Sequence, residues 1–178
     1  MRPFVFLDRD GTLVRDSGYP HRREDYSLLP GVLEGLQLLA KAGYALALAT
    51  NQSGIGRGLF QAADLQRFQD LLLTDLTAAG IELAATLVCP HEPAAGCACR
   101  KPAPGLLLRA RDEFGADLAA SWMIGDRAHD VLAARRAGCR GAVRVGVGAP
   151  APARGDPFAL EAPDLPAAAR LLLGYGAP

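Results

Sequence analysis

The 178-residue sequence has no long apolar run and no excess of either charge. Its 19 basic residues balance its 19 acidic residues, so it has no overall basic field that could attract nucleic acid or anionic lipid. No apolar run approaches the roughly 20 residues of a membrane-spanning helix, and the N-terminal segment 1–7 is unlike a removable signal sequence. The sequence therefore predicts a soluble cytoplasmic protein that binds neither membranes nor nucleic acid.

Lysine is almost absent, since only Lys41 and Lys101 contribute to the 19 basic residues. Lys41 lies in the last turn of a predicted helix, where a positive charge is favourable to the helix dipole. Lys101 follows a group of cysteines and is the candidate for a functional lysine, although a surface position is the ordinary interpretation of a single lysine.

Apolar segments alternate in the order of an α/β protein. Strands are predicted near residues 4–7, 44–49, 83–88, 121–124 and 142–147, and helices near 30–42, 61–79, 105–114 and 128–137. This order predicts a doubly wound fold with a mostly parallel sheet and helices on both faces. The Ala-, Pro- and Gly-rich segment 148–163 is predicted to be a surface connection before a helix over 164–173. We expect one domain over 1–178.

The first predicted strand ends in two carboxylates. Asp8 and Asp10 directly follow the apolar residues 4–7. At the carboxyl edge of a parallel sheet, one carboxylate can attack a phosphoryl group while a second protonates the departing oxygen. The same spacing also occurs in turns and in calcium loops. Residues 12–15, however, are largely apolar or basic and lack the further oxygen ligands of a calcium loop.

Further polar residues follow other predicted strands. Thr50 comes after the second strand and Asp126 after the fourth. Because the carboxyl ends of parallel strands meet at one sheet edge, we expect both to approach Asp8, together with Lys101. Taken alone, Thr50 could be a helix cap and Asp126 part of a turn. Asp130 is assigned no role, since it could be a solvated helix residue or a partner behind a metal site.

Four elements occur in a characteristic order: Asp8-x-Asp10-Gly11-Thr12, Thr50, Lys101 and Gly125-Asp126. Over most of the chain they resemble the haloacid dehalogenase-like phosphohydrolases. Large members of that superfamily have a cap domain inserted over the site, but residues 14–29 and 51–86 of this chain leave no room for one, so we expect no large cap domain. The resemblance implies that Asp8 is the phosphoryl acceptor, that Asp10 is general acid and base, and that Thr50 and Lys101 hold the phosphoryl oxygens. It also implies Mg²⁺ bound by Asp8, Asp126 and the backbone carbonyl of Asp10. Such an ion would offset the repulsion between a phosphate dianion and the attacking carboxylate.

Three of the four cysteines form a pattern with a histidine: Cys89-x-His91-x5-Cys97-x-Cys99. These are the ligands that a closed tetrahedral zinc site uses, which predicts a structural Zn²⁺. The alternatives are free thiols or a strained Cys97–Cys99 disulfide, which a reducing cytoplasm disfavours. Cys139 lies apart and is expected to fill core space. Because the pattern leads directly into Arg100 and Lys101, bound zinc is expected to position Lys101.

With this loop, the resemblance is to the branch that contains heptose bisphosphate and histidinol-phosphate phosphatases. It implies removal of the C7 phosphate from a heptose 1,7-bisphosphate, in the synthesis of nucleotide-activated heptose, with histidinol phosphate as the alternative substrate. The residues predicted to bind substrate are Arg9, Asp16, Ser17, Gly18, Tyr19, Asn51, Gln52, Ser53, Arg57, Arg100 and Arg127. Among them, Arg57, Arg100 and Arg127 are candidates for a second phosphate, unless they are unrelated surface arginines.

The expected partner is a small phosphorylated metabolite, and the protein is expected to be a monomer. A domain that binds such a ligand without turnover is a third possibility. The presence of both Asp8 and Asp10 argues against it.

Overall fold

Six parallel strands form one sheet in the computed structural model, which describes residues 1–146, 156 and 158–176. The strands are β1 (Phe4–Leu7), β2 (Ala45–Asn51), β3 (Leu83–Cys89), β4 (Trp122–Gly125), β5 (Gly141–Val145) and β6 (Ala159–Ala162). Their order across the sheet is β3-β2-β1-β4-β5-β6, and each neighbouring pair is parallel. The predicted doubly wound α/β fold is confirmed.

Helices connect the strands. They are α1 (Val32–Lys41), α2 (Ser53–Gly56), α3 (Ala62–Ala78), α4 (Gly105–Phe114), α5 (Ala128–Ala137) and α6 (Leu165–Gly174), with short 3-10 turns at Arg23–Asp25, Pro93–Ala95 and Leu118–Ala120. The predicted helices match α1, α3, α4, α5 and α6 to within two residues. The single-turn helix α2 lacks a sequence signal, since a run of Ser, Gly, Ile and Gly has neither helical periodicity nor high propensity.

Both faces of the sheet are buried. Side chains alternate along a strand, so Phe4 and Phe6 of β1 point to one face and Val5 and Leu7 to the other. Helices α4 and α5 cover the first face, while α1, α3 and α6 cover the second. Because neither face meets water, all four side chains are fully buried. This double burial explains why β1 is a continuous apolar run rather than an alternating one.

The connectivity determines where a ligand can bind. The chain passes from β1 to β2 and β3 on one side, whereas β4 lies on the other side of β1. In open α/β sheets, ligands bind at the carboxyl ends of the strands where the order reverses in this way. Here that point lies between β1 and β4, directly before Asp8 and Asp126.

One sequence prediction is corrected by the structure. The segment 148–163, predicted as a surface connection, contains strand β6, which pairs with β5 in parallel. Its four residues include no β-branched or aromatic side chain, so propensity did not indicate a strand. Pairing with β5 and burial of Ala159 and Ala162 decide the conformation instead. Residues 148–155 and 157 of the predicted connection, and residue 147 at the end of the predicted fifth strand, lie outside the described residues.

Within 1–146 and 158–176, none of the helices combines the length and the apolar character that crossing a bilayer requires.

The buried face of α1 provides a test of the core. Leu36 is fully buried against the sheet, so Leu36→Ala is expected to lower the free energy of unfolding by about 2–5 kcal/mol. Leu132 on α5 is 41% exposed, and Leu132→Ala is expected to change the same quantity by less than about 0.5 kcal/mol. Urea unfolding of both variants measures the contrast, and equal losses would contradict the packing described here.

Candidate active site

A cleft of about 380 Å³ opens at the carboxyl ends of β1, β2 and β4. Its lining consists of Asp8, Asp10, Asp16, Gly18, Tyr19, Thr50, Asn51, Gln52, Arg100, Asp126, Arg127 and His129. All of these except His129 are residues that the sequence predicted for the site. The parallel topology therefore brings together side chains that lie far apart in the sequence.

Lys101 lies beneath the cleft and is 1% exposed. Its Nζ is 2.8 Å from Asp8 Oδ1 and 2.6 Å from Asp130 Oδ1, and it also donates to the carbonyl oxygen of Ala49 at 2.6 Å. Burial works against the charge of Lys101, but the carboxylates of Asp130 and Asp8 outweigh it and raise the pKa of Lys101. The lysine is therefore a fixed positive charge directly behind Asp8.

Asp126 faces the same point from the end of β4. Its Oδ1 is buried and has no hydrogen-bond partner in the part of the chain that the structure describes, and its Oδ2 accepts from Arg127 Nε at 2.9 Å. Burial, followed by the charges of Asp8 and Asp130, raises the pKa of Asp126 to about 6. A Cβ on Gly11 would lie 2.4 Å from Asp126 Oδ2, so only glycine permits this approach of the first loop.

The carboxylates fit a divalent cation. One oxygen from each of Asp8, Asp126 and Asp130 lies within 4.8 Å of the other two. Lys101 pairs with Asp8 and Asp130, and Arg127 pairs with Asp126, so two cations face three carboxylates and negative charge remains in excess. Asp126 Oδ1 has no donor among the described residues. Hard oxygen ligands and uncompensated charge are the features that Mg²⁺ requires.

Asp10 is held from below by Arg9 and Gln52. Arg9 Nε donates to Asp10 Oδ1 at 2.7 Å, and Arg9 Nη2 donates to Asp10 Oδ2 at 3.0 Å. Gln52 Nε2 donates to Asp10 Oδ2 at 2.9 Å and to Thr50 Oγ1, also at 2.9 Å. Burial raises the pKa of Asp10, and the guanidinium of Arg9 opposes that shift. The carboxyl group is thus fixed in orientation while it still lines the cleft.

The side chain of Asn51 is occupied by the backbone of Lys101. Asn51 Nδ2 donates to the carbonyl oxygen of Lys101, and the N–H of Lys101 donates to Asn51 Oδ1, both at 3.0 Å. This pair of bonds ties the end of β2 to the loop that carries Lys101. A substrate contact by the amide of Asn51, as predicted from the sequence, would have to share these bonds.

The loop after β1 contributes Asp16 to Tyr19. Gly18 and Tyr19 both have positive φ angles, of 80° and 58°, an uncommon conformation for a tyrosine. Arg127 joins this loop to the cation site, since its Nη2 donates to Asp16 Oδ2 at 3.1 Å while its Nε donates to Asp126. Two nitrogen atoms of Arg127, Nε and Nη2, therefore donate to carboxylates of the protein itself, which leaves fewer of its N–H groups for a substrate.

Four predicted substrate-binding residues are absent from the cleft lining in the part of the chain that is described: Arg9, Ser17, Ser53 and Arg57. Ser17 and Arg57 are exposed, Ser53 is buried at the start of α2, and the side chain of Arg9 is fully buried. Their contacts with substrate stay predictions. For Arg9, the burial means that only the backbone could make such a contact.

Three cysteines and a histidine converge beside the cleft. Their sulfur and ring-nitrogen atoms all lie within 4.8 Å of one another. Cys99 Sγ is 3.3 Å from Cys89 Sγ and 3.3 Å from His91 Nδ1, and 3.5 Å from Cys97 Sγ. These separations are too long for a disulfide and suit the edges of a tetrahedron around one zinc ion. Cys139 is buried in the apolar core outside this cluster.

Comparison with known proteins gives a consistent result. A family model described as HAD-hydrolase-like matches residues 98–168. A Photorhabdus laumondii protein named D-glycero-beta-D-manno-heptose-1,7-bisphosphate 7-phosphatase is 44% identical over 153 residues, which cover 81% of each chain. A protein of the same name from Escherichia coli K12 is 40% identical over 155 residues, covering 83% of this chain and 81% of that protein. The chain belongs to the haloacid dehalogenase-like hydrolases.

A solved member of this family has the same overall structure. The D,D-heptose 1,7-bisphosphate phosphatase from B. bronchiseptica, complexed with magnesium and phosphate, is 34% identical. The superposition has a TM-score of 0.85 and covers 98% of this chain and 99% of that one. The predicted resemblance to the haloacid dehalogenase-like family and to its heptose bisphosphate branch is confirmed.

Sequence reasoning missed two residues of the site, His129 and Asp130. Asp130 is 1% exposed and pairs with Lys101, while its Oδ2 accepts from the backbone N–H of Arg127 at 3.0 Å. His129 lines the cleft, with its Nε2 3.6 Å from Asp130 Oδ1. The four-residue spacing from Asp126 to Asp130 was the available signal. Asp126 lies just before the N-cap of α5 and Asp130 in the first turn of that helix, and this turn from strand to helix brings both carboxylates near Asp8.

The raised pKa of Asp126 provides a test on magnesium-free protein. Because the folded protein disfavours the charged form, the cost of ionising Asp126 grows as the pH rises from about 4 to about 6. Asp126→Asn is therefore expected to raise the free energy of unfolding by about 1 kcal/mol at about pH 7, with the gain disappearing near pH 4. Urea unfolding in magnesium-free buffer measures the difference.

An exposed carboxylate is the control. Asp112 is paired with Arg111 at the surface, so Asp112→Asn is expected to give no gain at either pH. An Asp126→Asn variant that is less stable than the wild type at about pH 7 would show that the folded protein does not disfavour the charged form of Asp126.

Proposed function

We propose that the protein is a magnesium-dependent phosphatase that removes the C7 phosphate from D-glycero-D-manno-heptose 1,7-bisphosphate. The observation that carries the proposal is the convergence of Asp8, Asp10, Lys101 and Asp126 on one cleft. It occurs in a chain that is 40–44% identical to proteins named for this activity. The single-domain organisation, the monomeric state and the cytoplasmic location stay predictions.

Asp8 is the proposed nucleophile. Lys101 donates to Asp8 Oδ1 at 2.8 Å, which orients the carboxylate and leaves Oδ2 to attack the phosphorus. A bond forms between Asp8 and phosphorus as the bond from phosphorus to the C7 oxygen breaks, which gives an aspartyl-phosphate. Thr50 donates to an equatorial oxygen, where negative charge is distributed in the transition state. Lys101, whose Nζ already contacts Asp8, Asp130 and Ala49, stabilises that charge as a fixed positive charge behind Asp8.

Asp10 is the proposed proton carrier. As an acid it gives its proton to the departing C7 oxygen, and as a base it then takes a proton from the water that hydrolyses the aspartyl-phosphate. The burial that raises the pKa of Asp10 favours a carboxyl group that is protonated at the start of the reaction. Its orientation, fixed by Arg9 and Gln52, holds it beside Asp8.

Asp8 and Asp126, with the backbone carbonyl of Asp10, would hold the magnesium ion. When bound, the ion neutralises the charge that a phosphate dianion brings toward these carboxylates. We propose that Asp130 positions Lys101, since its Oδ1 is 2.6 Å from Lys101 Nζ.

Specificity is proposed to come from the loops around an open cleft. Arg100 is the best placed candidate for the C1 phosphate because it lines the cleft and its Nη1 makes only a backbone contact, to the carbonyl oxygen of His91 at 3.2 Å. Asp16 and Tyr19 on the opposite loop are suited to sugar hydroxyl groups. The loop after β1 contains one 3-10 turn, Arg23–Asp25, and two isolated bridges, so these side chains are proposed to act without a cap domain inserted in that loop.

Phosphate release tests the proposal directly. We expect kcat/KM for one anomer of the heptose 1,7-bisphosphate to exceed that for histidinol phosphate by at least about 100-fold, with loss at C7 and no turnover without Mg²⁺. Asp8→Asn is expected to abolish turnover in folded protein. A preference for histidinol phosphate would assign the other substrate, whereas magnesium-independent turnover or an active Asp8→Asn variant would contradict the mechanism.

We also propose that Cys89, His91, Cys97 and Cys99 bind a structural zinc ion. The cluster would close the loop that leads to Arg100 and Lys101, which are the two residues that follow Cys99. Zinc would thus support the loop from one end, while the Asn51 side chain holds the Lys101 backbone directly.

Replacement of one ligand tests the zinc site. Cys99→Ser is expected to reduce bound zinc from one equivalent, to lower Tm and to reduce kcat/KM by about 10-fold or more through displacement of Lys101. Metal analysis, thermal unfolding and phosphate release measure these effects. Cys139→Ser, at a buried cysteine outside the cluster, is the control that should retain zinc. A zinc-free Cys99→Ser protein with unchanged Tm and activity would exclude the proposed role.

A further inference from the structure

Arg9 is a fully buried arginine inside the catalytic loop, between Asp8 and Asp10. Burying a guanidinium is costly unless it is paired and hydrogen-bonded. A residue whose only task was to fill this space would be apolar. The identity of its partners therefore indicates what the charge does.

The guanidinium spans both oxygens of Asp10. Nε contacts Oδ1 at 2.7 Å and Nη2 contacts Oδ2 at 3.0 Å, which is the side-on, two-point arrangement that best fixes a carboxylate plane. Oδ2 also accepts from Gln52 Nε2 at 2.9 Å, so the second lone pair of Oδ1 is the one that can carry a proton toward the cleft.

Arg9 is itself held firmly. Nη2 also donates to the carbonyl oxygen of Pro20 at 2.9 Å and to Gln52 Oε1 at 3.1 Å. Its Cζ lies 4.6 Å from the centre of the Phe68 ring, which supports the guanidinium from one face. Pro20 directly follows the segment Asp16 to Tyr19, so Arg9 joins Asp10 to that segment. It also joins Asp10 to Gln52, which donates to Thr50 Oγ1.

We propose that Arg9 is a positioning residue for proton transfer by Asp10. The inference rests on the proposed phosphatase activity and deepens it. Arg9 touches neither the cleft nor the reacting phosphate. It holds the Asp10 carboxyl group in the plane from which the proton passes to the departing oxygen while the phosphorus–oxygen bond breaks and the bond to Asp8 forms.

The loss of kcat/KM on replacing Arg9, compared between esters with different leaving groups, distinguishes positioning of Asp10 from general support of the fold. A sugar alkoxide needs a proton as it departs, whereas p-nitrophenolate is a stable anion and does not. The ratio kcat/KM includes only the steps up to formation of the aspartyl-phosphate, so it isolates the proton that Asp10 donates. A variant that loosens the whole site lowers kcat/KM for both esters alike.

The experiment compares Arg9→Met with the wild type on the heptose 1,7-bisphosphate and on p-nitrophenyl phosphate. We expect kcat/KM to fall by about 100-fold or more for the sugar phosphate and by less than about 5-fold for the aryl phosphate, since general acid catalysis contributes about 10²–10⁴-fold. Equal losses on the two esters would overturn the proposal, and so would an unchanged rate on the sugar phosphate.

Arg144→Met is the matched control. Arg144 is also a buried arginine paired with a carboxylate, with its Nη2 3.3 Å from Glu161 Oε1, but it lies on β5 outside the cleft lining. Its replacement is expected to lower Tm while leaving the ratio of kcat/KM for the two esters unchanged. A change in that ratio for Arg144→Met as large as that for Arg9→Met would also count against the proposal.

A second variant covers the case in which Arg9→Met does not fold. Arg9→Lys keeps the positive charge but cannot span both Asp10 oxygens, so it is expected to show the same selective loss on the sugar phosphate. Full activity of Arg9→Lys on both esters would overturn the proposal. If the wild type releases phosphate from neither ester, the proposed function fails; if it hydrolyses both and the variants lose both equally, only the role of Arg9 fails.

Discussion

The buried ion triad of Lys101 with Asp8 and Asp130 is the interaction on which the site depends. Its three members come from a loop, from the end of β1 and from α5, and each is nine-tenths or more buried. Removing one partner would leave a charge buried without compensation, which is costly in a protein interior. The triad therefore forces these three segments into one arrangement, and that arrangement directs the Asp8 carboxylate toward the cleft.

Around this triad, several polar side chains that could bind a ligand instead form hydrogen bonds that connect one loop to another. Asn51 ties β2 to Lys101, Arg9 ties Asp10 to Pro20, and Arg127 ties Asp126 to Asp16. Reacting groups are effective when their orientation is set before the substrate arrives. The loop after β1 has no cap domain inserted in it, and we propose that bonds between loops provide this orientation instead.

Sequence reasoning located the site well because its markers are local. Asp8 and Asp10 stand at the end of an apolar run, and the Cys89 to Cys99 pattern is compact. Sequence reasoning failed where the interaction that decides a residue's conformation or role is with a residue far away in the sequence. Strand β6 depends on pairing with β5, and Asp130, left without a role, gains one only from Lys101, which is 29 positions earlier. Arg9 was placed among substrate-binding residues, yet its side chain turns into the protein.

The sequence by itself determined the fold class, the candidate catalytic carboxylates and the candidate zinc ligands, because strand periodicity, motif order and ligand spacing are properties of neighbouring residues. Only the tertiary structure decided which polar side chains bond to other groups of the protein. Arg9 is buried beneath the cleft, whereas Asn51 and Arg127 line the cleft but bond to neighbouring loops. That choice depends on partners brought together across the sheet edge. No local pattern records it, because a hydrogen bond between distant loops exists only after the strands have paired.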